Sequence, residues 1–205
     1  MVTKENIADA AAVLRHLPES RTCPLWMQYL LLSPVRRWVE SPVRLLGAYA
    51  TPGMTVLEPG CGFGYFSLPL ARMVGPEGRV VSVDLAPKAV ARLKRRATKA
   101  GVAARMDVRS CGARELGLDE YRGQIDLVVM MNTLHEFEDI PGFLSQVRAL
   151  LKPNGRLLIV EPPGHVTPDN FAAELECCRR AGFRELTPPP YARRRPAALL
   201  DIIKS

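Results

Sequence analysis

The chain has little of what staples or anchors small proteins. Its five cysteines, Cys23, Cys61, Cys111, Cys177 and Cys178, are odd in number and none falls in a CxxC spacing, so a disulfide framework is not indicated and the thiols read as free. The three histidines, His16, His135 and His165, are scattered, and none stands at ligand spacing from a cysteine, which speaks against a zinc site. No apolar run reaches the roughly 18 residues that a membrane span requires, and no signal-peptide pattern follows Met1; a reducing, cytoplasmic setting is expected. Aromatic residues make up 6% of the chain and do not interleave with basic ones as a base-stacking surface would demand. What is present is ordinary for a folded enzyme: 205 residues, 47% hydrophobic and 24% charged, enough to bury one full core without metals or crosslinks.

A formal net charge of +7 favours an anionic partner only in a general way. Lys88, Arg92, Lys94, Arg95, Arg96 and Lys99 lie on one expected helix, and Arg193 to Arg195 lie in a proline-bounded loop. A solvated face accounts for both, and no nucleic-acid module accompanies them.

The informative stretch is Val56-Leu57-Glu58-Pro59-Gly60-Cys61-Gly62-Phe63-Gly64-Tyr65-Phe66-Ser67. A short apolar strand runs through an acidic residue into a glycine-dense turn, where nucleotide-like cofactors approach the backbone and the N–H groups of the following helix. A dinucleotide fingerprint would need its third glycine at position 65, which is Tyr65. Glu58 also matters: a carboxylate at the strand mouth repels a pyrophosphate and attracts an ammonium or a sulfonium. S-adenosylmethionine carries both cations. The strand Arg79 to Val83 then ends at Asp84, about 20 residues beyond the turn, where a carboxylate accepts from ribose hydroxyls, a role compatible with capping the next helix.

At Glu58, Gly60, Gly62 and Gly64 the sequence resembles motif I of the class I S-adenosylmethionine-dependent methyltransferases, in particular the type 11 and ubiquinone/menaquinone methyltransferase-like branch. Gln124 to Asn132 with the loop Thr133 to Asp139 looks like motif IV, and Leu150 to Pro162 like the helix end, turn and fifth strand that close the core. The resemblance covers Thr51 to Glu161 firmly and the C-terminal part more weakly. It implies a cofactor site built from Glu58, Gly60, Cys61, Gly62, Gly64, Asp84, Leu85, Gly112, Ala113 and Asn132. It offers no carboxylate for the adenine after the third strand, since Ser110-Cys111-Gly112-Ala113 stands there and Asp107 lies inside the strand. Backbone groups around Cys111 to Ala113 are expected to hold the adenine instead.

From Thr55 onward strands and helices alternate, so a parallel sheet with right-handed crossovers is expected. The fold class is α/β: a Rossmann-like doubly wound seven-stranded sheet with helices on both faces. The resemblance implies that the last strand, near Ala198 to Ile203, inserts antiparallel between its predecessor, near Phe183, and the fifth strand. Residues 1–50 read as an N-terminal helical cap or lid, with helices near Asn6 to Leu17 and Leu25 to Leu32. Residues 51–205 read as the cofactor-binding domain, the two forming one structural unit. Trp26 and Tyr29 are candidates for lining the pocket.

Methyl transfer needs an aligned acceptor and a dry site, with a general base only where the acceptor must lose a proton. His135, after the fourth strand, is the base candidate and Glu136 its neighbour; Glu161 and His165 join them as candidates facing the acceptor. No metal is expected, and the partner is a small-molecule methyl acceptor. Other readings are a noncatalytic S-adenosylmethionine-binding protein, an RNA methyltransferase, an arsenite methyltransferase if three thiols converge, and an NAD-dependent oxidoreductase, which Tyr65 and Glu58 disfavour.

Overall fold

The computed structural model describes residues 40–203. His16, Cys23, Trp26, Tyr29 and the helices expected near Asn6 to Leu17 and Leu25 to Leu32 lie outside the described residues.

Seven strands, β1 (Thr55–Pro59), β2 (Arg79–Asp84), β3 (Met106–Ser110), β4 (Ile125–Met131), β5 (Leu151–Val160), β6 (Phe183–Glu185) and β7 (Ala197–Ile202), form one sheet in the order β3-β2-β1-β4-β5-β7-β6. The first five run parallel, and β7 is antiparallel to both β5 and β6. The expected insertion of the last strand is therefore present. The parallel pairs need crossovers, supplied here by α2 (Ser67–Met73), α3 (Pro87–Lys99) and α4 (Ile140–Leu150); α1 (Pro42–Leu46) precedes the sheet and α5 (Pro168–Arg180) follows β5.

Side-chain alternation along the strands sorts the core into two layers. Val56, Val80, Val129 and Leu158 pack with Leu46, Leu70 and Leu93 from α1, α2 and α3. Their neighbours Leu57, Val81, Val128 and Ile159 pack on the other face with Phe143, Leu144 and Val147 of α4 and with Cys177 and Cys178 of α5. Each fully buried leucine contributes about 1.5–3 kcal/mol relative to exposure. Helix starts follow local chemistry: Asp139 accepts from the Gly142 N–H at 2.9 Å to cap α4, and Thr167 accepts from the Asn170 N–H at 3.2 Å to cap α5.

Two boundaries differ from the sequence reading, which expects a helix near Tyr65 to Val74 and a strand near Arg156 to Val160. The chain from Gly62 to Phe66 is a turn, and α2 begins only at Ser67, because glycines at φ 51° and 79° interrupt the helical path. Strand β5 starts at Leu151, which pairs with Ile125, while Arg156 pairs with Leu127. The Pro153-Asn154-Gly155 turn is thus looped out within the strand instead of preceding it.

Candidate functional site

Because β1, β2, β4 and β5 are parallel, their carboxyl ends share one edge of the sheet. Strand β1 pairs with β2 on one side and β4 on the other, so successive crossovers leave it in opposite directions and open a crevice at that edge. The glycine turn, Asp84, Asn132 and Glu161 each follow or end one of these strands, and the register aligns Pro59 with Val83 and Met131 with Val160.

The turn is fixed by close approach. Gly60 and Cys61 donate their N–H groups to the Val83 carbonyl at 2.8 and 3.1 Å. A Cβ on Gly60 would meet Thr133 Cγ2 at 2.6 Å, and one on Gly64 would collide with Leu93 Cδ1. Cys61 is buried and its thiol is pushed well up by burial, with Glu58 and Asp84 adding to the effect.

Asp84 ties the turn to the next helix. One carboxylate oxygen accepts the Gly62 N–H at 2.7 Å and the other the Ala86 N–H at 2.9 Å. The N-cap of α3 is Ala86 with Pro87 behind it, so Asp84 holds the cap residue and is not itself the cap. Burial raises its carboxyl above the usual range, against the lowering effect of the two N–H bonds. Beside it Leu85 is 49% exposed, an apolar side chain left at the rim of the crevice.

Glu58 lies beneath the turn at 2% exposure and accepts from the Ser82 hydroxyl at 3.0 Å. Burial pushes its carboxyl up to about 8, although the hydroxyls of Ser67 and Ser82 pull the other way and Asp84 adds to the rise. At neutral pH it is mostly an uncharged acid until a cation arrives.

After β3 the loop is partly committed. The Cys111 N–H donates to the Asp84 carbonyl at 3.1 Å and the Gly112 N–H to the Glu115 carbonyl at 2.9 Å, and Ala113 beside them is exposed. Asp107 is held by Arg109 and by the Tyr121 hydroxyl at 2.7 Å, so it is engaged within the strand and does not turn toward the loop.

Beyond β4, Asn132 is the one non-glycine residue at positive φ, 59°, among the described residues. Its Nδ2 donates to Glu40 Oε1 at 2.9 Å, and the same oxygen pairs with Arg195 at 2.9 Å. Its Oδ1 is buried with no hydrogen-bond partner among the described residues. Next in the chain, the Leu134 N–H donates to Glu161 Oε1 at 2.8 Å, and His135 Nδ1 lies 2.6 Å from Glu161 Oε2. The His165 ring meets the His135 ring edge-on with centroids 4.9 Å apart. Burial disfavours the charged imidazole, yet the hydrogen bond and charge of Glu161, with Glu136 adding, carry the His135 pKa above its ordinary 6.5. Glu174 of α5 completes the corner: fully buried, with neither oxygen hydrogen-bonded among the described residues, it is pushed to about 8 by burial and by the nearby Glu161.

The structure therefore brings Glu58, Gly60, Cys61, Gly62, Gly64, Asp84, Leu85 and Asn132 to one edge, and His135, Glu161 and His165 to a corner of the same edge. Sequence reading missed Glu40, Ser82 and Glu174. Ser82 is the strand residue whose polarity interrupts Val80, Val81 and Val83, a signal that was available; Glu40 and Glu174 carry no motif. Among the described residues no group of His, Cys, Asp or Glu is arranged to hold a metal, and no helix is long and apolar enough to cross a membrane.

Residues 50–182 match the family model described as "Methyltransferase domain". The chain belongs to this methyltransferase family. Among curated relatives, a 2-phytyl-1,4-naphtoquinone methyltransferase of Trichormus variabilis is 31% identical over 144 residues, 69% of this chain and 61% of the relative. A ubiquinone biosynthesis O-methyltransferase of Bradyrhizobium diazoefficiens is 31% identical over 142 residues, 69% of this chain and 52% of the relative. The chain thus spans a little over half the length of these family members. Of solved structures, an S-adenosylmethionine-dependent methyltransferase from Aquifex aeolicus superposes with a TM-score of 0.74 at 21% identity, covering 87% of this chain and 97% of that one. The [4+2]-cyclase SpnF superposes with a TM-score of 0.65 at 15% identity over 100% of this chain and 94% of that one. These two likenesses establish the methyltransferase-like fold, which hosts more than one chemistry.

Proposed function

We propose that this protein transfers a methyl group from S-adenosylmethionine to a small-molecule acceptor. The observation that carries the reading is the cradle at the carboxyl edge, whose free valences suit that cofactor. Each Asp84 oxygen accepts one backbone N–H and keeps a lone pair for a ribose hydroxyl. Leu85 offers exposed apolar surface to the adenine. The Asn132 Oδ1, without a hydrogen-bond partner among the described residues, suits the ammonium of the methionine end, and Glu58 below the turn would ionise in response to that cation. A pyrophosphate finds two carboxyls where it would need cations or free N–H groups.

When bound, S-adenosylmethionine supplies a methyl carbon activated by positive sulfur. The chain's own work is positioning: closely oriented reactants contribute about 7–11 kcal/mol to such a displacement. Residues 1–50 serve in this reading as a cap, and the contact of Glu40 with Asn132 supports it. The quinone-related names of two relatives support a small, ring-bearing acceptor, and a cytoplasmic setting agrees with the free thiols of Cys61, Cys111, Cys177 and Cys178.

Calorimetric titration with S-adenosylhomocysteine, with NAD in parallel, tests this. Binding of S-adenosylhomocysteine alone, weakened at least tenfold in Asp84→Ala with the fold intact by circular dichroism, is the expected result. Binding of NAD, or of neither, overturns it.

A further inference from the structure

We infer that His135 and Glu161 form a proton-accepting dyad, and that the acceptor is therefore a weakly acidic hydroxyl compound, a phenol or an enol. The inference rests on the methyltransferase reading and adds to it the chemistry of the acceptor. Glu161 is fully buried and its two oxygens are spoken for, one by the Leu134 N–H at 2.8 Å and one by His135 Nδ1 at 2.6 Å. A buried carboxylate can only accept, so the neutral imidazole must carry its proton on Nδ1. The Nε2 lone pair is left as the base. The Glu161 backbone is itself anchored, its N–H donating to the Pro196 carbonyl at 2.8 Å, which fixes the carboxylate against the end of β5. The His135 side chain keeps 18% exposure, a partial opening at the sheet edge where acceptors of this fold class bind.

In the step that follows, the acceptor O–H bond breaks and a Nε2–H bond forms. The electron pair stays on the acceptor oxygen, and the imidazolium produced is balanced by the Glu161 carboxylate. The proton then leaves to solvent through the exposed part of the ring. Such a base is matched to phenols and enols. Thiols with a pKa near 8.5 present a few per cent of a very nucleophilic thiolate at neutral pH without help, and a neutral amine already presents its lone pair. Removing an enol or phenol proton activates both the oxygen and the adjacent carbon, so one dyad serves O- and C-methylation alike. Four groups bear on the imidazole: Glu161 just after β5, Glu136 next to His135 in the chain, His165 across the ring contact, and Glu174 from α5, which acts on Glu161.

Glu161 is thus a positioning residue, and the test must separate that role from mere packing. In Glu161→Gln the amide oxygen still accepts the Leu134 N–H, while the amide NH2 points a donor at Nδ1 and drives the proton to Nε2. Nitrogen-15 spectra of histidine-labelled protein saturated with S-adenosylhomocysteine read this directly, with His135→Asn giving the assignment. The expected wild-type pattern is a protonated Nδ1 with Nε2 titrating; in Glu161→Gln the protonated nitrogen switches and the titration midpoint falls. An unprotonated Nδ1 in the neutral wild-type ring, or the same tautomer and midpoint in both proteins, overturns the dyad.

For the acceptor, the protein is incubated with methyl-labelled S-adenosylmethionine and a small-molecule extract, and the product is analysed by mass spectrometry and NMR. Label on an oxygen, or on a carbon beside a hydroxyl, is expected, with the rate down 10²–10⁴-fold in His135→Asn. Label on nitrogen or sulfur, or no product although S-adenosylhomocysteine binds, overturns the inference while sparing the cofactor assignment. Failure to bind S-adenosylhomocysteine overturns the parent reading instead.

Discussion

Replacing Glu174 by methionine should make the protein more stable, and by an amount that grows with pH. Glu174 sits on α5 with no exposure and no hydrogen-bond partner among the described residues, and burial pushes its carboxyl from an ordinary 4.5 to about 8. In the unfolded chain the group loses its proton near 4.5; in the folded protein it keeps the proton until about 8. Below 4.5 both states are protonated and the group costs the fold nothing through ionisation. Between the two values the unfolded state gains by ionising, and folding stability falls by about 1.4 kcal/mol per pH unit. The cost is therefore under about 1 kcal/mol at pH 5, about 3 kcal/mol at pH 7, and level above pH 8. Methionine has similar length, fills irregular space and has no charge to lose. Urea unfolding of both proteins at pH 5, 6, 7 and 8 measures the difference. Glu58 carries a similar dependence in both proteins and cancels in the comparison. Parallel stability curves for the two proteins, or a methionine variant less stable than wild type at pH 8, would refute the reasoning.

Glu58 should release a proton when the ammonium of a ligand's amino-acid end binds, since its carboxyl is held near 8 in the free protein. S-adenosylhomocysteine calorimetry at pH 7 in buffers of different ionisation enthalpy should show close to one proton released, and Glu58→Gln should show none. Gly64→Ala should destabilise by about 2–4 kcal/mol, combining strain at φ 79° with the collision at Leu93; an unchanged thermal midpoint would contradict the close packing. At Asn132, with φ 59°, alanine should be less stable than glycine by about 1 kcal/mol, because only glycine takes that conformation freely. Both variants should bind S-adenosylhomocysteine more weakly, a result that calorimetry reads independently of stability.

Much of the half of the candidate site proposed for the cofactor was legible because it is made of backbone conformation. Gly60, Gly62 and Gly64 are needed where φ is positive, and such positions leave a mark in one sequence. Strand ends were legible for the same reason, since the apolar runs Val80 to Val83 and Ile125 to Met131 stop at Asp84 and Asn132. The acceptor half was less so. His135 and Glu161 were singled out separately, but their pairing depends on β4 and β5 lying side by side in one register, with Met131 opposite Val160. Glu174 and Glu40 arrive from still more distant segments, and nothing in their local sequence distinguishes a buried acid from an exposed one. The start of β5 was misplaced because Pro153-Asn154-Gly155 is a turn in its own right, and only pairing of Leu151 with Ile125 makes it an interruption within a strand.

The slot taken by β7 also sets the order in which the molecule can be finished. Strand β6 reaches the sheet only through β7, and β5 offers a bare edge until Ala197–Ile202 has been synthesised. The glycine turn has the strands on either side of it, β1 and β2, early in synthesis. Glu161 does not: its N–H waits for Pro196, some 35 residues later in synthesis. The glycine-turn half of the candidate site thus has its strands in place before the His135–Glu161 corner has its anchor, and β7 is the keystone of that corner.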